Sequence, residues 1–302
     1  MPALPATCLI GTGGWEHESY GERLYPGDMT GSEERLRHYA RYFDTVEVRA
    51  TFWDPLLGAE DAAAWIASVA DNGRFLFNVK LHSSFTHKKE IRLDYARSTR
   101  ALLQELDRND RLGALVLQFP YAFTCTSSNR YHLQKLGEVF RGFPLHAEFR
   151  HASWDNSSLL PFLQENDLAP VSVDLPRIRQ YMPFIPRVVG ETAYIRLHGR
   201  SERGWLQNGV DMRYDYLYNR REMREIGRRL SHLAPGCKRL IIIFNNTTAG
   251  KALANAAELR PILQDGKTVT VPEELIGAFP HLLDAHVSVD STVPLFDLRR
   301  AM

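Results

Sequence analysis

Eight short strand-like segments, separated by segments of mostly helical pattern, constrain this chain more than any other feature of its sequence. They are residues 8–11, 43–49, 75–80, 112–118, 145–150, 170–174, 193–198 and 240–245. Alternating strands and helices argue for a parallel sheet, since parallel neighbours need long crossovers that are usually helical. Eight such units within 302 residues point to a single closed (β/α)8 TIM-type barrel, with an open doubly wound sheet as the alternative. No linker, composition shift or internal repeat separates two halves. Residues 1–302 are therefore read as one domain, less regular after about residue 264.

The intervening pattern places helices at 32–42 (opened by Ser32), 59–69 (with Trp65 as a core residue), 94–107, 129–140 and 157–166. A basic helix ends near residue 233, and Thr248 is placed to cap a last one over 249–263. Residues 176–190 contain Pro183 and Pro186 and read as an irregular loop. Residues 199–216 form a loop rich in glycine and aromatic residues. The run Gly11-Thr12-Gly13-Gly14-Trp15 reads as a tight turn, because its glycine spacing is not that of a dinucleotide-binding loop.

Successive side chains of a strand face opposite ways, so each strand offers two faces. In residues 145–150, Ala147 and Phe149 share one face while His146, Glu148 and Arg150 share the other. The same split sets Val46 and Val48 against Thr45, Glu47 and Arg49, and Phe77 and Val79 against Asn78 and Lys80. Tyr194, Arg196 and His198 share a face, as do Ser172 and Asp174. If the apolar sets pack on helices, the polar sets point into the barrel, the reverse of its usual Val, Ile and Leu filling. Charges placed there are expensive to bury unless paired. The alternatives are a functional site and a self-neutralising structural network.

In a barrel the active site lies at the carboxyl ends of the strands. Here those ends carry Glu47 and Arg49, Lys80, Gln118, Glu148 and Arg150, Asp174, Arg196 and His198, and Asn245 with Asn246, while Trp15, His87, His151 and Trp154 lie just beyond strands. Three carboxylates against four Lys and Arg side chains make a slightly positive pocket, which suits a phosphate or carboxylate.

A net charge of +1 gives no broad basic field for nucleic acid, although a local basic pocket could still bind one. Three distant cysteines, Cys8, Cys125 and Cys237, form no metal or disulfide pattern. No apolar run is long enough to span a bilayer, and the start lacks a signal-peptide pattern, so a cytoplasmic protein without membrane partners is expected. The residues name neither a cofactor nor an oligomeric state.

At the strand ends the chain resembles the YecE-like family, a domain of unknown function. The matching pieces are Ile10-Gly11-Thr12-Gly13-Gly14-Trp15, Val46-Glu47 with Thr51-Phe52, Phe77-Asn78-Val79-Lys80 with Thr86-His87, and Leu117-Gln118-Phe119-Pro120. They continue through Glu148-Phe149-Arg150-His151 and Trp154, Asp174 with Pro176, Tyr194-Ile195-Arg196-Leu197-His198-Gly199 and Phe244-Asn245-Asn246. They occur in the family's order and reach about Leu259. The resemblance implies a TIM barrel and carries no established reaction. Trp53 stands where the family would have Tyr, which keeps the ring and loses a hydroxyl, and the region after Asp265 diverges.

Three functions fit these residues. The first is an enzyme, a hydrolase or lyase, acting on a phosphorylated or otherwise anionic small molecule or nucleotide. Glu47 and Glu148 would be its acid and base and His198 a proton shuttle. Lys80, Arg150 and Arg196 would hold the anion, with His87, Gln118, Asp174, Asn245 and Asn246 lining the site and Trp15 and Trp154 stacking on a ring. The second is a metal-dependent phosphodiesterase-like barrel acting on nucleic acid, with Glu47, Glu148, Asp174 and His198 as ligands. Its clustered cations would repel a divalent ion, so no metal site is assigned. The third is a non-catalytic binder of an anion or nucleic acid.

Overall fold

In a computed structural model, which describes residues 7–207, 210–233, 237–264 and 266–290, the eight strands close into a parallel barrel in chain order. They are β1 Thr7–Gly13, β2 Thr45–Val48, β3 Leu76–Lys80, β4 Leu112–Gln118, β5 Leu145–Glu148, β6 Leu168–Asp174, β7 Thr192–Leu197 and β8 Arg239–Phe244. Pairing of β8 with β1 completes the ring, leaving no open edge. The main outer helices are α1 Ser32–Tyr39, α2 Ala59–Ser68, α3 Leu93–Arg108, α4 Ser127–Val139, α5 Leu159–Glu165, α6 Arg220–Ser231 and α7 Lys251–Leu263. Residues 175–191 cross from β6 to β7 without an α-helix, as the two prolines require.

Two helix starts differ from the sequence reading. Gly31, not Ser32, is the cap of α1; the carbonyl and hydroxyl of Ser32 instead accept from Trp15 Nε1 at 3.2 and 3.3 Å. Helix α7 begins at Lys251, because Ala249 (φ 55°) and Gly250 (φ 72°) adopt left-handed backbone that a helix cannot contain. At Gly250 a Cβ would also lie 2.4 Å from Arg23 Cδ.

Beyond α7 the chain keeps regular structure. Val269–Val271 and Val287–Val289 pair as a small parallel sheet around a short helix, Glu273–Ala278. Tyr42, just before β2 on the amino side of the barrel, donates to Asp290 at 3.1 Å and ties this sheet to the barrel.

Register decides which residues enter the barrel, since in-register neighbours on a parallel sheet point the same way. Glu47 pairs with Asn78 and Gly13, Gln118 with Glu148, Val116 with both Lys80 and His146, and Arg196 with Ile243. These residues, with Tyr194 and Ile241, fill the interior. The opposite set, including Val46, Val48, Phe77, Leu115, Leu117, Ala147, Ile195, Leu197 and Phe244, joins the large apolar core beneath the helices. On β6 the phase inverts. Val173 pairs with Arg196 and Asp174 with Leu197, so Val171 and Val173 face inward while Ser172 and Asp174 face the helical layer.

Candidate functional site

Arg196 stands at the centre of the barrel mouth. The residue comes from β7 and is 1% exposed, its side chain reaching both glutamates. Nη2 donates to Glu47 Oε1 at 2.7 Å, and Nη1 donates to Glu148 Oε2. Tyr194, two residues earlier and on the same face, donates its hydroxyl to Glu47 Oε2 at 3.2 Å. Arg150 Nε donates to Glu148 Oε1 at 2.9 Å. His198 completes the ring, with Nε2 at 3.4 Å from Glu148 Oε2. Asn245 Nδ2 lies 3.1 Å from His198 Nδ1. A neutral imidazole protonated on Nε2 satisfies both contacts, accepting from Asn245 and donating to Glu148.

Burial sets the electrostatics. It would raise the Glu148 carboxyl, but Arg196, His198 and Arg150 together outweigh it and hold Glu148 well below the usual carboxylate range. Burial lowers the His198 imidazole to about 4 and leaves it neutral at physiological pH. The expected acid and base therefore meet a geometric obstacle. All four oxygens of Glu47 and Glu148 already accept hydrogen bonds, from Arg196, Arg150 and Tyr194. As placed, these carboxylates hold the cations in position.

Lys80 is different. Its ammonium lies 3.7 Å from the Phe52 ring centroid, yet among the described residues it has no hydrogen bond and no carboxylate within ion-pair distance. Burial first, then Arg196, and with them Arg150 and Arg49 lower it to about 7, against the pull of Glu47. The Phe52 ring favours the charged form, an opposing effect of about 0.5–2 kcal/mol. His87, on the turn Ser84–Lys88, packs edge-on to Phe52 at 5.0 Å. Burial, together with Lys80 and Arg150, pushes its imidazole to about 4.

Aromatic rings from two loops close the mouth. Trp205 lies over the Arg150 guanidinium at 5.1 Å and packs on Tyr181 and Tyr214. Tyr214 stands beside Arg150; burial would raise its phenol, but the charges of Arg150 and Arg196 together outweigh this and leave it lowered. Beside the centre, Gly13, Gly14, His17, Arg49 and Trp53 line a cavity of about 400 Å³. Gly13 is required here, since a Cβ would fall 2.4 Å from Asn245 Oδ1.

Of the residues expected to form the site, Glu47, Lys80, His87, Gln118, Glu148, Arg150, Arg196, His198 and Asn245 gather at this mouth. Four do not join them. Trp154 is a core residue, stacked on Phe149 at 4.2 Å with Nε1 donating to the Phe123 carbonyl, so it cannot stack on a ligand ring. Trp15 lines the cavity beside the mouth, but it is 4% exposed, packs edge-on to Trp65 and spends its Nε1 on Ser32. Asp174 lies on the far side of β6, bound by Arg200 Nε at 2.8 Å and the Tyr218 hydroxyl at 2.6 Å. Asn246 is tied outward to Asn255 and the Tyr216 carbonyl. The ligand set of the phosphodiesterase reading is thus split between two faces, and among the described residues no three His, Cys, Asp or Glu side chains converge as a metal site. Tyr181, Trp205 and Tyr214 escaped sequence reading; the aromatic content of residues 199–216 was the signal for the latter two. No helix among the described residues is long and apolar enough to cross a membrane.

The comparisons with known proteins agree with this architecture. A family model described as "Protein of unknown function DUF72" matches residues 9–275. YunF of Bacillus subtilis (strain 168), described as a UPF0759 protein, is 27% identical over 284 residues, covering 88% of this chain and 98% of that protein. The crystal structure of a DUF72 family protein from Thermotoga maritima superposes with a TM-score of 0.75 at 27% identity, covering 85% of this chain and 99% of that one. One from Enterococcus faecalis gives 0.73 at 26% identity, covering 85% and 96%.

Proposed function

The chain belongs to the DUF72 family, whose description names no reaction, and from its barrel mouth we propose that it is an enzyme acting on a small anionic molecule. The YecE-like motifs are read as this family's own under another name. The observation that carries the proposal is the cationic surplus: Arg196, Arg150 and Lys80 face only Glu47 and Glu148, with Arg49 at the rim. Arg196 is spent on both carboxylates. Arg150 gives Glu148 a single nitrogen and sits beneath Trp205 and Tyr214, where it can offer donors to a phosphate or carboxylate. Among the described residues, Lys80 has no carboxylate of its own. The surrounding aromatic rings would shield a bound anion from water and strengthen these contacts.

Thermal melting tests the reading, with inorganic phosphate, phosphate esters, nucleotides, carboxylic acids, short oligonucleotides and divalent metals as probes. A probe at a hundred times its dissociation constant should stabilise the fold by about 2.7 kcal/mol. A shift with a small anion that disappears in Arg150→Ala is the expected result. No shift with any anion would overturn the proposal, and a shift confined to metals or oligonucleotides would replace its substrate class. Turnover of the stabilising compound then separates an enzyme from a binder.

A further inference from the structure

Among the described residues, Lys80 is a cation with no carboxylate within ion-pair distance. It ends β3, points inward in register with Val116, and is partly open to the mouth. Its backbone is fixed, since the Thr51 hydroxyl donates to its carbonyl at 2.6 Å. Both nearby glutamates are taken by arginines, so among the described residues Nζ packs on the Phe52 ring and feels Arg196, Arg150 and Arg49 against the more distant pull of Glu47. A structural lysine would be expected to neutralise a carboxylate or to snorkel to solvent. An amine kept among cations in a partly dry site is instead easily deprotonated, and the free amine is a nucleophile.

We infer that Lys80 forms a Schiff base with an aldehyde or ketone that carries a carboxylate or phosphate group. The inference rests on the anion reading above, with Arg150 holding the anionic group and Lys80 attacking the carbonyl. Unprotonated Nζ adds to the carbonyl carbon, and one of its protons passes to the oxygen to give a carbinolamine. A second proton, from solvent, lets that oxygen depart as water while the nitrogen lone pair closes the C=N bond. Amine, carbonyl and one proton become protonated imine and water, with no oxidant or reductant. The imine then draws electrons from the adjacent carbon, as proton removal or carbon–carbon cleavage there would require.

Reductive trapping on the full chain tests this. The protein is incubated with glyoxylate and cyanoborohydride, and labelled lysines are mapped by peptide mass. With Lys80 near 7 and an ordinary lysine near 10.4, the free-amine fraction at pH 7 differs roughly a thousandfold. Lower basicity takes back part of that advantage, so Lys80 is expected to label at least about tenfold faster than exposed Lys88. Its labelling rate should rise with a midpoint near pH 7, slow in the presence of inorganic phosphate, and vanish in Lys80→Met. Labelling of Lys80 no faster than Lys88 would overturn the inference. If phosphate still stabilised that same protein, the anion reading would survive it. Propionaldehyde, which lacks a charge, is the second arm: rates equal to those of glyoxylate would remove the anionic group from the inference and count against the anion reading too.

Discussion

Replacing Arg196 with Leu is expected to destabilise the fold by about 3–5 kcal/mol at pH 7, the range found when one partner of a buried ion pair is removed. The structure supports this size independently. Arg196 makes charge-assisted contacts to Glu47 at 2.7 Å and to Glu148, each of a kind that contributes about 1.5–3 kcal/mol. Leucine keeps much of the apolar volume, so cavity formation is a minor contribution. What remains is two carboxylates at 0% exposure, one still held by Arg150 and the other only by Tyr194. Urea unfolding followed by fluorescence, at pH 7 and pH 5, measures the loss. Without Arg196 both carboxyls protonate more readily, so the deficit should shrink as pH falls. Adding Glu47→Gln should recover part of it by removing the charge left worst paired. A loss below about 1 kcal/mol, or no recovery with Glu47→Gln, would refute the view that this guanidinium organises the barrel interior.

Two other perturbations examine the frame around the site. Burial lowers the His146 imidazole to about 4, and its Nδ1 has no hydrogen-bond partner, so the folded state keeps it neutral while the unfolded chain binds a proton below about 6.5. Stability should therefore be lost as pH falls from about 6.5 to 4, and His146→Gln should reduce that loss by up to roughly 3 kcal/mol; parallel stability–pH curves for the two proteins would exclude the buried neutral histidine. Gly11→Ala would place a Cβ 1.8 Å from the Thr45 carbonyl oxygen at the β1–β2 pairing, where backbone cannot yield cheaply. We expect a cost of about 3 kcal/mol or more, read as a lowered melting temperature, and a near-neutral result would mean that β1 lies farther from β2 than it does here.

Local pattern was enough for the architecture and for much of the mouth. Period-two alternation, or a short apolar run as in residues 112–118, identified the strands, and helices between them argued for a parallel sheet, because these signals depend only on near neighbours in sequence. The same alternation grouped Tyr194, Arg196 and His198, and His146, Glu148 and Arg150, which the barrel keeps together. Alternation cannot say which face of a strand turns inward when both are buried. Strand β6 shows the consequence: the barrel takes Val171 and Val173 inside and leaves Asp174 to Arg200 and Tyr218. Sequence position also placed Trp15 and Trp154 near the mouth, where packing with Trp65 and with Phe149 turned them into core. Trp205 and Tyr214 reach Arg150 only because their loop folds back over the barrel. The isolation of Lys80 is likewise a tertiary result. Arg196, distant in sequence, takes an oxygen of both Glu47 and Glu148 that a neighbouring lysine would otherwise claim, and only the closed barrel brings it within reach, while Arg150 adds a local contact to Glu148.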